Sequence, residues 1–188
     1  MIELLRQRLN SYDRRFMAEE TGRDRAAVLL PIEICDEPVL ILTLRSSLLE
    51  THGGEVALPG GRHDDEDETL MDTALRETWE EIGLLPDKVE IVGELRSFVS
   101  KHGLLVTPFV GLIASRESLS PNPEEIAQIF KVPLTWLVRD ERTDTNIIER
   151  HGETHRIPEY WYDGHRIWGL TSMILKELLV YGLDVNMD

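Results

Sequence analysis

The stretch Gly60-Gly61-Arg62-His63-Asp64-Asp65-Glu66-Asp67-Glu68-Thr69-Leu70-Met71-Asp72-Thr73-Ala74-Leu75-Arg76-Glu77-Thr78-Trp79-Glu80-Glu81-Ile82-Gly83-Leu84 decides how the rest of this chain is read. Its second half has a helical period: Met71, Ala74, Leu75, Thr78 and Ile82 share one face about 100° wide. On such a helix Glu77, Glu80 and Glu81 stand at i, i+3 and i+4, so three carboxylates project from one side toward a common point. Like charges held that close resist ionisation unless something positive sits among them. Oxygen-only ligands suit hard cations such as Mg²⁺ or Mn²⁺, which keep positions open for water and phosphate oxygens. A solvated glutamate face is the simpler alternative. Two neighbours weigh against it. Leu58-Pro59-Gly60-Gly61 lets backbone groups approach a ligand closely, and Arg76 is placed to pair with an acid of the intervening loop.

The charge of the whole chain points to the same place. The 188 residues carry 20 Lys plus Arg against 35 Asp plus Glu, a net charge of −15. A surface that acidic repels duplex nucleic acid and anionic membrane, which excludes both as expected partners. Residues 61–90 hold eleven carboxylates against three cations, so a local balance of −8 supplies more than half of the total. Divalent cations bound there would reverse the sign and admit a polyanionic substrate.

Outside this stretch the sequence reads as one mixed domain. Ile2, Leu5, Leu9, Tyr12 and Phe16 predict an amphipathic helix over residues 2–18, placed in an N-terminal segment 1–22 that packs on a single domain of residues 23–188. Runs rich in Val, Ile and Leu at residues 26–34, 38–45, 89–98 and 104–113 are expected strands. Residues 124–130, entered through Pro121, Asn122 and Pro123, are expected to form a second short helix. Residues 143–149 and 166–168 are further expected strands, and residues 170–181 a closing helix. This order indicates an α/β or α+β domain. The first eight residues carry charge and lack an apolar core, and the uncharged run at residues 104–115 falls short of the roughly 20 residues that cross a bilayer. With Cys35 the lone cysteine, a cytoplasmic protein is expected. A homodimer is compatible with everything in the sequence. Neither Gly-x-Ser-x-Gly nor a P-loop lysine pattern occurs.

Residues 60–84 resemble the Nudix box, the mark of a family that hydrolyses nucleoside diphosphates linked to another moiety. Arg76-Glu77-Thr78-Trp79-Glu80-Glu81-Ile82-Gly83-Leu84 matches the family pattern Arg-Glu, any two, Glu-Glu, any, Gly, aliphatic, with Thr78 in place of the usual aliphatic residue. Gly61 precedes Arg76 by fifteen positions where the family has fourteen. The extra residue leaves Asp67 and Glu68 as rivals for the first glutamate of the box, and spacing to Arg76 favours Glu68. Leu42-Thr43-Leu44-Arg45-Ser46 and His52-Gly53-Gly54-Glu55-Val56-Ala57-Leu58-Pro59-Gly60-Gly61 look like the motif upstream of the box in coenzyme A pyrophosphatases, a branch that tolerates the extra residue. Asn122-Pro123-Glu124-Glu125-Ile126, Val132-Pro133-Leu134 and Ile167-Trp168-Gly169-Leu170-Thr171 are similar to elements of that branch.

The resemblance implies an αβα sandwich with a mixed central β-sheet and a catalytic loop-helix-loop. It implies that Glu77, Glu80 and Glu81, with the Gly61 carbonyl, hold Mg²⁺ or Mn²⁺, and that Glu68 and Arg76 are structural. Glu81 is the first choice for a metal-bridging carboxylate and Glu80 the second. Glu125 is the expected base, with Glu124 as its competitor and a shared helix-dipole role as the alternative. Coenzyme A or its thioesters would yield 3′,5′-ADP and 4′-phosphopantetheine. Gly60, Gly61 and Arg45 would contact substrate, Arg45 at the 3′-phosphate, although a surface salt bridge explains Arg45 more simply. His52 and His63 read as hydrogen-bonded scaffolding, and Tyr160, Trp161 and Trp168 as core aromatics or an adenine stack. The alternatives are hydrolysis of an ADP-sugar or dinucleotide, and a nucleotide-sensing module without catalysis, against which the intact glutamate set argues.

Overall fold

The computed structural model describes residues 1–12, 22–49, 51–150 and 153–187. Its elements run α1 (Ile2–Asn10), β1 (Arg25–Ile34), β2 (Val39–Arg45), β3 (Val56–Ala57), β4 (Gly60–Arg62), α2 (Leu70–Ile82), β5 (Val89–Glu94), β6 (Phe98–Val99) and β7 (Leu105–Ala114). They continue as β8 (Ile126–Pro133), α3 (Leu134–Val138), β9 (Asp144–Arg150), β10 (Glu153–Tyr162), β11 (His165–Ile167) and α4 (Gly169–Glu177), which a π-type turn over Leu178–Gly182 extends.

The central sheet is mixed. β1 and β7 pair in parallel from Arg25↔Leu105 to Ile34↔Ala114, while β2, β4, β5, β6 and β8 all join antiparallel. Because side chains alternate across a strand, the two faces of β1 feed two cores. Ala27 and Leu29 pack with Ile41, Phe109 and Ile113 against Ala74 and Ile82 of α2. Val28, Leu30 and Ile32 pack with Leu40, Leu42 and Val110 against Leu5 and Leu9 of α1 and Ile174, Leu175 and Leu178 of the closing helix. The result is the expected α+β architecture, helices on both faces of a mixed sheet. β9, β10 and β11 form a separate three-stranded sheet. Among the described residues no helix is long and apolar enough to cross a membrane.

One irregularity creates the site. β2 pairs with β1 only at Ile32↔Leu40 and Glu33↔Val39, and then leaves it. The vacated edge of β1 is taken by β4, with Ala26↔Arg62, Ala27↔Gly61 and Val28↔Gly60. Only glycine fits there: at Gly60, with φ at 148°, a Cβ would lie 2.3 Å from the Ala27 carbonyl oxygen and 2.5 Å from Val28 Cα.

The structure corrects one element outright. Residues 124–130 are not a helix; β8 pairs along the free edge of β2 from Val39↔Pro133 to Arg45↔Ile126. Ile126 and Phe130, four apart, mimic a helical period, and in so short a run the unpaired edge of β2 wins. The predicted strand over residues 89–98 is likewise broken into β5 and β6. The N-terminal helix is seen as α1, and the part of the expected helix beyond Tyr12 lies outside the described residues. Leu5 and Leu9 of α1 are buried, and Leu9 presses on Gly93, where a Cβ would meet it at 2.7 Å.

Candidate active site

Helix α2 begins where the sequence says it must. Thr69 caps it by accepting the Asp72 N–H at 3.2 Å, and the Asp72 carboxylate returns the bond to the Thr69 N–H at 2.9 Å. Gly83, with φ at 71°, ends it in the left-handed region. Thr78, the residue that departs from the family pattern, is fully buried and its hydroxyl donates to the Ala74 carbonyl at 2.6 Å. That bond within the helix satisfies the hydroxyl and lets it occupy an apolar position.

The loop before α2 is organised by Asp67, not Glu68. The Asp67 carboxylate accepts from Arg76 Nε at 2.8 Å, Arg76 Nη2 at 2.9 Å, Thr73 Oγ1 at 2.8 Å and the Asp64 N–H at 3.1 Å. The Arg76 guanidinium, together with these donors, holds the Asp67 carboxyl well below its ordinary range despite burial. Glu68 is exposed. The expectation that spacing to Arg76 selects Glu68 is therefore wrong. A turn over Asp64–Asp67, closed by the Asp67 N–H on the Asp64 carbonyl, takes up the extra residue and swings the earlier acid inward.

Arg76 also reaches the glutamates and the strand before the loop: Nη1 donates to Glu77 Oε1 at 3.0 Å and to Glu80 Oε2 at 3.2 Å, and Nη2 to the Arg62 carbonyl at 3.2 Å. Glu77 lies against the double glycine, so that a Cβ on Gly61 would fall 2.3 Å from its carboxylate. Glu81 lies against the first glycine of the pair, Gly60, and is 2% exposed. Its Oε1 accepts from Arg45 Nη1 at 3.1 Å and its Oε2 from the Gly60 N–H at 3.1 Å. Burial pushes the Glu81 carboxyl up to about 7; Arg45 and the Gly60 amide oppose that shift, while Glu125 and Glu77 add to it. Burial also raises Glu77, with Arg76 opposing and Glu80 and Glu125 reinforcing.

Glu125 reaches this group by a route the sequence hides. The C-terminal carbonyls of α2 would be orphans; the Ser120 N–H caps Ile82 at 2.9 Å and the Asn122 N–H caps Glu81 at 2.9 Å. The same turn is stitched to the end of β2, where the Ser46 N–H donates to the Glu125 carbonyl at 2.7 Å. Glu125 is thereby close enough to raise both Glu77 and Glu81, whereas Glu124 is exposed.

Other expected contacts fall elsewhere. Arg45 is neither a surface salt bridge nor an idle cation: its partner is Glu81, and its Nε is buried with no partner among the described residues. His52 pairs with Glu55 at 2.7 Å and His63 with the Thr73 hydroxyl at 2.9 Å, which is scaffolding. Tyr160 is core at 0% exposure, Trp161 is exposed, and Trp168 carries the Arg166 guanidinium 4.8 Å above its ring.

Among the described residues, no three acidic, histidine or cysteine side chains are gathered around one metal-sized point. Glu81 is turned to Arg45 and Gly60, and Glu77 and Glu80 share Arg76. The donor set nevertheless fits a divalent cation: every side chain offers carboxylate oxygen, and their mutual repulsion is what such an ion relieves.

Comparisons with known proteins bear on the same residues. The NUDIX domain family matches residues 22–152. The uncharacterized Nudix hydrolase NudL of Photorhabdus laumondii is 45% identical over 153 residues, which are 81% of this chain and 82% of its own. The NudL of Yersinia enterocolitica is 42% identical over 153 residues, covering 81% and 78%. Among solved structures, the Nudix hydrolase RenU from M. Smegmatis aligns with a TM-score of 0.51 at 22% identity, over 65% of this chain and 81% of its own. A MutT/nudix family protein from Enterococcus faecalis aligns with a TM-score of 0.51 at 17% identity, over 97% and 74%. At those identities the structures speak for the fold alone. The family match, which takes in the double glycine, the glutamate helix and the Asn122–Glu125 turn, shows that this chain belongs to the Nudix hydrolases and is a pyrophosphohydrolase.

Proposed function

We propose that the protein hydrolyses the diphosphate bridge of coenzyme A or its thioesters, releasing 3′,5′-ADP and 4′-phosphopantetheine, in a reaction that depends on Mg²⁺ or Mn²⁺. The observation that carries the chemistry is the placement of Glu77 against Gly61 and of Glu81 on the Gly60 N–H at the splay between β1 and β2, with Glu125 near enough to raise both carboxyls. The substrate reading rests on residues 42–46 and 52–61, which supply Arg45, Gly60 and Gly61 to that splay.

A diphosphate resists hydrolysis because its own charge repels hydroxide, so the site must neutralise charge and position a water. When bound, the divalent cation lowers the pKa of its water and neutralises phosphate oxygens. Glu77, Glu80 and Glu81, with the Gly61 carbonyl, are its proposed ligands. Glu81 is the central one because it is buried beside both Gly60 and Glu125. Glu125 takes the proton as the water oxygen bonds to phosphorus and the bridging P–O bond breaks. Gly60 and Gly61 admit the diphosphate close to the backbone, where no side chain stands in the way. The reading places the reaction in the cytoplasm, where the exposed thiol of Cys35 stays reduced.

Incubation with coenzyme A, ADP-ribose and NADH in the presence of Mg²⁺ tests this. Release of 3′,5′-ADP from coenzyme A supports the reading; survival of coenzyme A while ADP-ribose or NADH is cleaved overturns it.

A further inference from the structure

The Arg45–Glu81 pair sits in the interior of the cleft, with side chains 23% and 2% exposed. Arg45 is the last residue of β2, fixed by its own N–H on the Glu55 carbonyl at 3.0 Å and by the Gly54 N–H on its carbonyl at 3.1 Å. Its side chain therefore leaves a rigid strand end and reaches across the splay to α2. Both oxygens of Glu81 are engaged, one by Arg45 and the other by the Gly60 N–H. Only the first of these partners is a side chain that can turn away. Arg45 Nε, meanwhile, is buried with nothing to donate to among the described residues. A buried donor left unpaired is costly, so this arrangement of the guanidinium is not its best one in every state of the enzyme.

We propose that Arg45 is a resident counter-ion for Glu81 which the divalent cation displaces. In the metal-free enzyme the guanidinium stands 3.1 Å from a carboxylate oxygen that is withdrawn from water and balances its charge. A dication on the same carboxylate cannot share Oε1 with a guanidinium without like-charge repulsion, so metal entry and Arg45 departure are one exchange. The released guanidinium, with its Nε still lacking an acceptor, becomes available to an anionic substrate in the cleft. Arg45 is in this sense a positioning residue: it holds Glu81 in place until the cation arrives. The proposal rests on Glu81 being a metal ligand, but not on the identity of the substrate.

Mn²⁺ binding to the metal-free protein, followed by titration calorimetry at pH 8.5 without substrate, separates the two ideas. Arg45→Met keeps the apolar stem and removes the competing cation. It should bind Mn²⁺ about tenfold more tightly than wild type, or better, in line with the coupling of close charge pairs. Equal or weaker binding by the folded variant overturns the exchange while leaving the metal ligands intact; no binding by wild type overturns the ligand assignment and the exchange with it. Should Arg45→Met fail to fold, wild type alone decides. The nitrogen-15 side-chain resonance of Arg45 Nε should shift on addition of diamagnetic Mg²⁺, and should not shift in Glu81→Gln. An Arg45 resonance indifferent to Mg²⁺ in wild type overturns the proposal.

Discussion

Asp67 and Glu81 belong to the same loop and helix and are almost equally withdrawn from water, with side chains 5% and 2% exposed, yet their charges are displaced in opposite directions. Asp67 is saturated by four donors, two of them from one guanidinium, and is held ionised. Glu81 has one N–H and one guanidinium against two nearby carboxylates, and burial pushes it up to about 7. At Glu81 burial outweighs the donors, and at Asp67 the donors, Arg76 first, outweigh burial. Asp67 is finished as it stands and fastens the loop to α2. Glu81 is underprovided in the metal-free protein and has something left to bind.

The sharpest way to break this contrast is Glu81→Gln. Loss of a ligand that acts on the reacting centre should lower turnover on the order of 10³-fold, with circular dichroism unchanged. A variant that keeps wild-type turnover would remove Glu81 from the chemistry. Asp67→Asn should do the reverse and act on stability. Removing one partner of a pair this buried costs about 3 kcal/mol in urea unfolding, whereas Glu68→Gln, on the exposed neighbour, should stay within about 0.5 kcal/mol. If Glu68→Gln is the more damaging of the two, the assignment of the loop acid is wrong.

A smaller effect lies in pH. The folded Asp67 carboxyl is lowered relative to the unfolded chain, so its contribution is fully present above the unfolded pKa of about 4 and is lost as pH falls toward the lower folded value. Acid unfolding of wild type should accordingly be steeper below pH 4 than that of Asp67→Asn; parallel curves would show that the pair contributes nothing. The smallest expected change is in melting temperature on adding Mg²⁺. A ligand at 100 times its Kd adds about 2.7 kcal/mol, which at this size is a rise of roughly 5–10 °C, and Glu80→Gln should blunt it without abolishing it. Glu80 is 45% exposed and already shares Arg76, so it is the weakest of the three glutamates as a ligand.

Much of this was legible in the residues. The period of α2, its clustered glutamates and the double glycine before it follow from side-chain spacing and the absence of a Cβ, which are local properties. Arg76 as the clasp of the loop is equally local. The error at Glu68 has a local cause as well: spacing counts residues, while a turn at Asp64 absorbs one of them. The misread helix at residues 124–130 is of another kind. Nothing within that run records that β2, seven residues long, has a free edge in reach of it, and the edge decides.

The sequence by itself determined the family, the glutamate helix and the charge that surrounds it, because those depend on neighbours a few residues apart. Only the tertiary structure decided that Arg45 stands 3.1 Å from Glu81 and that Glu125 comes near enough to raise the Glu81 carboxyl. Those residues lie 36 and 44 positions from Glu81 along the chain. The contacts exist because β2 leaves β1 to make room for β4, and because the orphan carbonyls of α2 capture the Asn122 turn. Sheet pairing and helix capping are satisfied across the whole fold, so a reading of one stretch at a time can name the members of the site but cannot say which of them meet.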